Sequence, residues 1–364
     1  MKRSGHLYEK MISDENIRDA IIEVNKGHRW YSGHKPNPVT IWVDITIEDR
    51  IVELRNIIES GYVPNEYRVK KIYDHNAQKV RNICEPRLWP DQYVHHILVK
   101  ILIPDMMRNM DHWCCGSIRQ RGIKYGVDGL KKWMAEDKRG TGYCLEMDIK
   151  HFYDNIQPTE VIKRFRSLIK DPYVFNLMER VMSNGIVIGA YFSQWFANTL
   201  LQPLDRKIRE LGAAHYLRYM DNFTVFSNRK RTLKKILAAT KGWLAEHGLK
   251  LKSNFQIFRT SNRLPNALGF RYGRGYTLIR KSALLILTRQ IRRYYKFKKM
   301  KRHITAKFAI GLMSRIGRLD MCNSTWIRKA FVKPGLIKEL KTIIRNEHKR
   351  YETWENIISM AILS

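Results

Sequence analysis

The sequence predicts an α+β fold, in which helices and antiparallel strands are interleaved along the chain. Two observations support this class. Apolar residues recur at helical spacing over residues 8–25 and 47–60. The stretch YRVKKIYDHNAQKVRNICEP alternates apolar and polar residues as a pair of strands does. The sequence also shows no internal repeat and no low-complexity tract.

The composition indicates a folded protein with a polyanionic partner. A chain of 364 residues, 44% of them apolar, can bury a core shared by one to three subdomains. Its 67 Lys and Arg against 34 Asp and Glu leave a net charge of +33, spread over most of the length. Because such a surface repels itself unless a polyanion neutralises it, we expect contact with nucleic acid. Charge alone does not separate nucleic-acid enzymes from ribosomal-type packing or membrane attachment.

Cysteine usage and hydropathy predict a cytoplasmic protein that does not enter a membrane. The five cysteines include no CxxC pair, which argues against a disulfide framework and against a zinc site. The basic start MKRSGHLYEKM lacks a following apolar segment, so it does not resemble a secretory signal. The most apolar window, YVHHILVKILIPDMM, is interrupted by His, Lys and Pro and is too short to span a bilayer.

The first part of the chain is predicted to be mainly helical. Helices over residues 8–25 and 47–60 flank a loop near residues 32–38, and Gly61 and Pro64 end the second helix. The strand pair over residues 67–86 is expected to turn at the dipeptide HN. Further helices are predicted at Leu98–Met110 and Val127–Ala135.

From residue 141 onward the pattern changes to short strands between helices. GYCLEMDI predicts a strand, HFYDNIQPTEVIKRFRSLI a loop and an amphipathic helix, and GIVIGAYFSQWFANTLLQPLDRKI a passage from strand to helix. LRYMDNFTVF predicts a tight hairpin with Asp221 and Asn222 at its turn. A helix from Arg231 to His247, the short β segment LGFRYGRGYTLI and C-terminal helices complete the prediction.

Two aspartates at the ends of predicted strands suggest a metal site. Since every second residue of a strand faces the same way, Asp148 shares a face with Glu146 and lies at the strand's exit. A hairpin beside this strand would bring Asp221 close to Asp148. Like charges a few Å apart are costly unless a divalent cation lies between them, and such pairs most often run two-metal phosphoryl transfer. A plain β-turn, which Asp and Asn both favour, remains the alternative for Asp221 and Asn222.

Seven sequence blocks, taken in order, resemble the successive conserved blocks of a prokaryotic reverse transcriptase. They are KVRNICEP, CCGSIRQRGIKYG, CLEMDIKHFYD, IGAYFSQ, YMDN, GLKLKSNFQIF and LGFRYGRGYTLI, and the resemblance extends over about residues 7–285. It implies a right-hand polymerase. The N-terminal extension and fingers would occupy residues 1–140, the palm with interleaved fingers residues 141–275, and the basic helical thumb with the C-terminal region residues 276–364.

The resemblance also implies a catalytic centre. Asp148, Asp221 and the backbone carbonyl of Ile149 match the family's metal ligands, and Asn222 occupies the third catalytic position. The implied cofactors are two Mg²⁺ ions, with Mn²⁺ as a substitute. Tyr153 matches the aromatic steric gate that rejects a 2′-hydroxyl, which implies DNA as the product. A Tyr153 that merely packs in the core is the simpler alternative.

Other residues match positions that contact the substrates. Contacts with the incoming nucleotide are implied for Lys79, Arg81, Tyr153, Ile188, Gly189 and Gln194, with Lys71 as the alternative to Lys79. Contacts with the template and primer are implied for Ser193, Tyr219 and Met220. Cations opposite a triphosphate neutralise charge that develops on the leaving pyrophosphate, although a solvated Arg81 is the simpler explanation of that residue.

The first departure from the family is Asn222, which stands where a second adjacent Asp is usual. An amide oxygen still ligates Mg²⁺ but brings no charge, so metal binding should weaken. We favour a working enzyme over an inactive one, because the first two carboxylates are the more direct ligands. Glu146, on the same face as Asp148, is a candidate to compensate for the missing charge, and a surface or RNA-facing role is the simpler alternative.

Two further departures concern the blocks on either side of the hairpin. IGAYFSQ has Ile188 where a Gln is usual and Gln194 where a Pro is usual, a form similar to that of diversity-generating retroelements. Defence-associated reverse transcriptases remain close competitors. Phe255 occupies the position of a Lys proposed to protonate pyrophosphate, and Lys250 or Lys252 are candidates to replace it.

The basic segment RKSALLILTRQIRRYYKFKKMKR, residues 280–302, contains ten Lys or Arg and no acidic residue. Cations along one helical face would follow a phosphate backbone. The predicted nucleic-acid contacts are Arg280, Lys281, Arg292, Arg293 and Lys296. The aromatic residues Tyr294, Tyr295 and Phe297 either stack on bases or, in the simpler alternative, pack into the thumb.

These features together predict an RNA-directed DNA polymerase that copies a structured template RNA into cDNA from dNTPs, as in a diversity-generating retroelement. An antiphage defence enzyme with a dedicated noncoding RNA is the alternative within the class. A catalytically inactive RNA-binding scaffold is the alternative of another class. An accessory protein is expected because no nuclease motif is apparent in the sequence, and the oligomeric state stays open.

Overall fold

The N-terminal part of the protein is helical. The structure is a computed structural model that describes residues 3–28, 30–31, 35–74 and 79–347. Its first elements are α1 (Leu7–Met11), α2 (Asp14–His28), β1 (Trp30–Tyr31), β2 (Lys35–Pro36), α3 (Pro38–Ile45) and α4 (Ile47–Glu59). The helix predicted over residues 47–60 is confirmed by α4.

Local capping explains where the helical predictions fail. The helix expected over residues 8–25 is two helices, because the Ser13 hydroxyl accepts the backbone N–H of Asn16 and caps α2. Helix α3 was not predicted, and it begins where the predicted loop near residues 32–38 ends. Its cap is Asn37, whose side chain accepts the N–H of Val39, and Pro38 fits the first helical position because it has no N–H to satisfy.

A separate hairpin follows the N-terminal helices. Strands β3 (Arg68–Asp74) and β4 (Lys79–Glu85) are antiparallel, which confirms the predicted strand pair. The predicted turn at His75 and Asn76 lies outside the described residues. Two helices come next, α5 (Tyr93–Arg108) and α6 (Ile123–Glu136). Helix α5 contains the most apolar window of the sequence and lies in the core. Within the described part of the chain, no helix has the length and apolar character needed to cross a bilayer.

A four-stranded antiparallel sheet forms the centre of the fold, in the order β6-β7-β5-β8. Its strands are β5 (Tyr143–Asp148), β6 (His215–Tyr219), β7 (Asn222–Ser227) and β8 (Gln256–Arg259). The helices that surround it are α7 (Phe152–Asn155), α8 (Pro158–Phe165), α9 (Pro172–Val181), α10 (Tyr191–Leu200), α11 (Gln202–Glu210) and α12 (Lys230–Glu246). The strand predicted near residues 185–190 is wrong, because this segment is irregular up to α10.

The two faces of the sheet bury different clusters. Leu145 and Val225 join the larger core, which also contains the N-terminal helices and α10. Cys144, Leu217 and Phe226 face the opposite way, into a core shared with α6 and the C-terminal helices. This alternation follows the period of two of a strand and gives each face of the sheet its own hydrophobic core.

The C-terminal part combines a small sheet with helices. The sheet has the order β11-β10-β9, from strands β9 (Asn266–Ala267), β10 (Phe270–Tyr272) and β11 (Thr277–Ile279). The helices are α13 (Lys281–Lys299), α14 (Ala306–Gly317) and α15 (Thr325–Phe331), followed by helical residues 336–347. The α+β prediction is confirmed, and the basic segment of residues 280–302 is mainly helix α13.

Candidate active site

The two aspartates lie at the same end of β5 and β7, which are the two inner strands of the central sheet. Asp148 ends β5 and pairs with Asn222 in the antiparallel register, and Asn222 pairs in turn with Tyr219. The hairpin turn itself consists of Met220 and Asp221, so the predicted turn at Asp221 and Asn222 is wrong by one residue. Met220 carries the left-handed backbone, with φ of 56°. Asn222 instead starts a strand, where its pairing fixes it beside Asp148.

The carboxylates of Asp148 and Asp221 share one electrostatic environment. Burial, and secondarily the charge of Asp148, raise the pKa of Asp221 to about 6. The backbone N–H of Ile149 donates to the Asp221 carbonyl at 3.1 Å, which links the turn to the end of β5. The exposed Asn222 amide donates to Asp221 Oδ1 at 2.8 Å. Asn222 therefore supports the neighbouring carboxylate when no cation is present.

A lysine completes the charge balance of this pair. The ammonium of Lys252 lies 2.6 Å from Asp148 Oδ2, and its backbone N–H donates to the Asp148 carbonyl at 2.8 Å. Lys250 is exposed. Phe255, at the position where the family's Lys was expected, packs against the core with the Lys241 ammonium 4.2 Å from its ring centre. Of the two lysine candidates, Lys252 is the one that lies at the carboxylates.

The donor set fits a divalent cation. Asp148 Oδ1 is buried and has no hydrogen-bond partner among the described residues, so one hard oxygen is left available beside a second carboxylate. In the described part of the chain no three His, Cys, Asp or Glu side chains cluster as a metal site. The centre is therefore built from two carboxylates, with the Asn222 amide at the position of the third.

A cavity of about 470 Å³ opens beside Asp148, between the central sheet and strand β9. Its lining includes Asp148, Tyr219 and Asn222 of the central sheet together with Arg280 and Arg318. The cavity thus combines one carboxylate of the candidate site with two arginines.

Glu146 lines the same cavity but is already hydrogen-bonded elsewhere. One carboxylate oxygen accepts the backbone N–H of Asn266 at 2.6 Å, and the other lies 3.9 Å from the Arg263 guanidinium. Burial raises the pKa of Glu146. Its contacts join β5 to β9, which gives Glu146 a structural explanation independent of metal binding.

Tyr153 lies near the acidic pair. It belongs to the short helix α7, which begins after His151 in a left-handed conformation with φ of 46°. Burial, followed by the charge of Asp221, raises the pKa of the Tyr153 phenol. The ring packs at 5.5 Å from that of Phe152. The partly buried phenol is therefore neutral and close enough to Asp221 to feel its charge.

The segment that immediately precedes α10 contacts strand β4 of the β3-β4 hairpin. The Ile188 carbonyl accepts the N–H of Cys84 at 2.8 Å. Gly189 has φ of +118°, and a Cβ there would lie 2.2 Å from the Cys84 carbonyl oxygen. Ser193 is fully buried, and its hydroxyl accepts the N–H of Val187 at 3.1 Å. Ser193 can therefore influence a nucleic acid only through the segment that it holds.

The predicted triphosphate contacts lie on this hairpin and on α10. Arg81 is half-buried in β4, opposite Ile72 in the strand register. Lys79 begins β4, but its side chain lies outside the described part of the structure. Gln194 is exposed on α10. The hydrogen bond between Ile188 and Cys84 joins β4 to the segment that immediately precedes α10.

Helix α13 carries the predicted phosphate contacts. Lys281, Arg292, Arg293 and Lys296 are exposed. Arg280 precedes the helix, is half-buried, and donates from Nε to the Asn266 side-chain oxygen at 3.0 Å.

The aromatic residues of α13 support the packing alternative over base stacking. Tyr294 is buried, and its hydroxyl donates to Glu339 at 2.5 Å. Tyr295 is half-buried and packs against the C-terminal core. Phe297 is half-buried between Phe308 of α14 and the Arg293 guanidinium. The cations of this helix are thus the groups available to a nucleic acid.

Arg218 was not among the predicted site residues, and it is fully buried directly below the turn. It forms an ion pair of 2.6 Å with Asp205 of α11. A signal was present in the sequence, because an arginine between Leu217 and Tyr219 in an apolar strand requires a buried acidic partner. The partner could not be identified from sequence spacing.

A central antiparallel sheet with paired carboxylates at one end of its strands, surrounded by helices and followed by a basic helical region, is the architecture of a right-hand nucleic-acid polymerase. Residues 59–270 match the family model described as reverse transcriptase (RNA-dependent DNA polymerase). This match covers more than half of the chain, which therefore belongs to the reverse transcriptase family, whose members are RNA-directed DNA polymerases. No curated protein is similar to it in sequence.

Three solved telomerase structures are similar to this chain over part of their length. The apo telomerase of Candida tropicalis truncated from its C-terminal domain is 13% identical, with a TM-score of 0.42 over 62% of this chain and 58% of that one. Telomerase of Candida albicans with a TWJ fragment of telomeric RNA is 11% identical, with a TM-score of 0.45 over 85% and 67%. The longer apo Candida tropicalis telomerase is 13% identical, with a TM-score of 0.41 over 61% and 51%. The chain thus spans 51% to 67% of the length of these telomerases.

Proposed function

We propose that this protein copies an RNA template into DNA by nucleotidyl transfer at Asp148 and Asp221. The observation that carries the proposal is the juxtaposition of these carboxylates in a chain of the reverse transcriptase family. Asp148 offers an unpartnered buried oxygen, and the neighbouring Asp221 has a pKa of about 6. Both features are those of a site that is incomplete without a cation.

The two carboxylates and the carbonyl of Ile149 would hold two Mg²⁺ ions, with Mn²⁺ as a substitute. When bound, such ions stabilise charge on the attacking and leaving oxygens of an in-line displacement. Asn222 would offer its neutral amide oxygen beside the two carboxylates. The family usually has a Lys at the position that Phe255 occupies here. Lys252, whose ammonium lies 2.6 Å from Asp148, would take over the role of that Lys and donate a proton toward the leaving pyrophosphate.

The surrounding residues would hold the substrates. Tyr153 would exclude a ribose 2′-hydroxyl by steric clash, so that dNTPs are preferred and DNA is made. Arg81 and Lys79 on β4 would hold the triphosphate. Ile188 and Gly189 would border the nascent base pair, with Gln194 nearby on α10.

The template and primer would lie along the basic thumb. The exposed cations of α13 lie on one helix that is long enough to follow several phosphates. Arg280 would contact the primer from the cavity that it lines together with Tyr219, and Met220 would contact it from the adjoining turn. Binding should therefore weaken steeply as salt concentration rises. In this proposal the fingers comprise residues 1–140, the palm residues 141–275 and the thumb with the C-terminal region residues 276–364.

Within the family, we favour a prokaryotic enzyme of the diversity-generating type. The form IGAYFSQ supports it, since Ile188 would replace a polar contact near the nascent pair by an apolar one and relax base discrimination. Such an enzyme would act in the cytoplasm on a structured RNA with an accessory protein. A defence enzyme with its own noncoding RNA is the second candidate, because it shares the same blocks. Adenine-specific errors in the cDNA that copurifies support the first, and a repetitive or self-templated product supports the second.

Primer extension on an RNA template tests the proposed activity. The wild type should incorporate dNTPs in Mg²⁺ and in Mn²⁺, and Asp221→Ala should abolish incorporation. Asp49→Ala, at an exposed position of α4, is the matched control and should retain full activity. If Asp221→Ala extends the primer as well as the wild type does, the site assignment is wrong. If the wild type binds RNA but never incorporates dNTPs, the protein is an inactive scaffold.

A further inference from the structure

A single buried guanidinium lies under the turn that carries Asp221. Arg218 alternates in β6 with Leu217 and Tyr219, which line the cavity, so its side chain points to the opposite face of the sheet. It is 0% exposed. On that face it meets α10 and α11, which place Asn198 and Asp205 beside it.

All five N–H donors of this guanidinium are used. Nε and Nη2 donate to the two carboxylate oxygens of Asp205 at 2.7 and 2.6 Å. Nη1 donates to the Asn198 side-chain oxygen at 2.7 Å and to the Met220 carbonyl at 3.2 Å. Nη2 also reaches the Asn198 carbonyl at 3.2 Å. Since arginine has five such donors and lysine three in a different arrangement, this set of partners is specific to arginine.

The contacts fix two consecutive carbonyls of the turn. The Met220 carbonyl is held by Arg218, and the Asp221 carbonyl by the N–H of Ile149 at 3.1 Å. Met220 is in the left-handed region at φ of 56°, a conformation that a side chain other than glycine adopts only when its surroundings impose it. The turn cannot rotate without breaking one of these two hydrogen bonds.

A second support reaches the turn through Asn198. Its amide nitrogen donates to the Gly116 carbonyl at 2.8 Å. Gly116 packs so closely on the turn that an added Cβ would lie 2.8 Å from the backbone nitrogen of Met220. Asn198 therefore joins the guanidinium below the turn to the segment that covers Met220.

We propose that Arg218, held by Asp205 and Asn198, is a positioning residue that fixes the turn so that the Asp221 carboxylate faces Asp148. Arg218 acts through the Met220 carbonyl and does not reach the cavity. The inference rests on the proposed function, because positioning matters only if the two carboxylates bind catalytic cations. It differs from a purely stabilising ion pair in one respect. Loss of the Arg218 contacts should change cation affinity and turnover beyond any change in stability.

Two variants of the full-length protein test this inference, Arg218→Lys and Asn198→Ala. Arg218→Lys keeps the charge but loses the simultaneous contacts with Asp205 and Met220. Asn198→Ala keeps the Arg218–Asp205 ion pair, so it remains informative if the lysine variant fails to fold. Supporting groups behind metal ligands are typically worth about 10- to 100-fold in metal affinity or activity. We expect the Kd for Mn²⁺, measured by electron paramagnetic resonance, to rise and kcat to fall by such a factor, with the KM for dNTP unchanged.

Tyr216→Phe is the matched control. Tyr216 is equally buried in β6 and donates to the same Asp205, but among the residues described its hydroxyl has no contact with the turn. This variant should lose stability while keeping the wild-type Mn²⁺ affinity and kcat. The inference is overturned if Arg218→Lys and Asn198→Ala also keep both values and lose only stability. The Mn²⁺ measurement needs no polymerisation, so an inactive wild type would refute the proposed function and leave this comparison decisive.

Discussion

Replacing Asp221 by asparagine should stabilise the protein when no divalent cation is present. In the folded protein Asp221 is partly buried beside Asp148, and both effects oppose its ionised form. The amide introduced by Asp221→Asn would keep the shape of the side chain and could still accept the hydrogen bond from Asn222. The substitution therefore removes the unfavourable charge and little else, at the cost of the proposed activity.

The pKa of Asp221 gives the magnitude and the sign. A rise from the usual 3.8 to about 6 corresponds to about 3 kcal/mol at about 1.4 kcal/mol per unit. Because the carboxylate is partly exposed, screening by water reduces this to about 1 to 2 kcal/mol. Below pH 3.8 the group is protonated in both states and costs nothing. Between pH 3.8 and about 6 the carboxyl is ionised in the unfolded state but still protonated in the folded state, so the destabilisation grows over this range and the gain from Asp221→Asn is complete only above about pH 6.

Urea unfolding in EDTA at pH 8 and pH 4 measures this effect. We expect Asp221→Asn to exceed the wild type in the free energy of unfolding at pH 8 and to equal it near pH 4. Added Mg²⁺ should stabilise the wild type more than the variant, since binding to the folded state adds stability by mass action. Asp148→Asn is the comparison variant. It relieves the same repulsion but removes the partner of Lys252, so its gain should be smaller.

If Asp221→Asn is less stable than the wild type in EDTA at pH 8, the Asp221 carboxylate does not destabilise the metal-free protein. A stabilisation of equal size at both pH values would also refute the prediction, because relief of a charge that titrates near pH 6 must depend on pH.

Three further predictions follow from the site. Gly189→Ala should lower the free energy of unfolding, measured by urea titration, by roughly 3 kcal/mol, because the new Cβ would clash with the Cys84 carbonyl. Gly185→Ala is the control, since Gly185 also has positive φ but a new Cβ there would meet nothing closer than 3.9 Å. It should cost only about 1 kcal/mol. Tyr153→Val should raise rNTP incorporation relative to dNTP incorporation, measured as the ratio of kcat/KM values, and an unchanged ratio would exclude a steric gate. Asn222→Asp should lower the Mg²⁺ concentration for half-maximal primer extension, and an increase would mean that the amide is the preferred group here.

The pairing of the strands could be predicted because it depends on local patterns. Alternating residues gave the β3-β4 hairpin and the two faces of β5, and the position of Asp148 at a strand end followed from the same period. The neighbourhood of Asp148 and Asp221 needed one assumption, that the hairpin lies next to β5. The antiparallel register of β5 and β7 shows it directly.

The parts that could not be predicted depend on contacts between distant residues. The left-handed backbone of Met220 follows from contacts with Arg218 and Gly116, not from a turn preference of its own sequence. The irregular segment before α10 follows from the contact of Gly189 with Cys84. Likewise, Lys252 reaches Asp148 only because residues 250–252 run beside the end of β5.

A cation site shared by Asp148 and Asp221 is the central claim. Anomalous diffraction from crystals grown with Mn²⁺ tests this site most directly. We expect an anomalous peak within about 2.5 Å of a carboxylate oxygen from each residue, with the Lys252 ammonium displaced from Asp148. A peak bound to only one of the two carboxylates, or Mn²⁺ bound only elsewhere, would contradict the account.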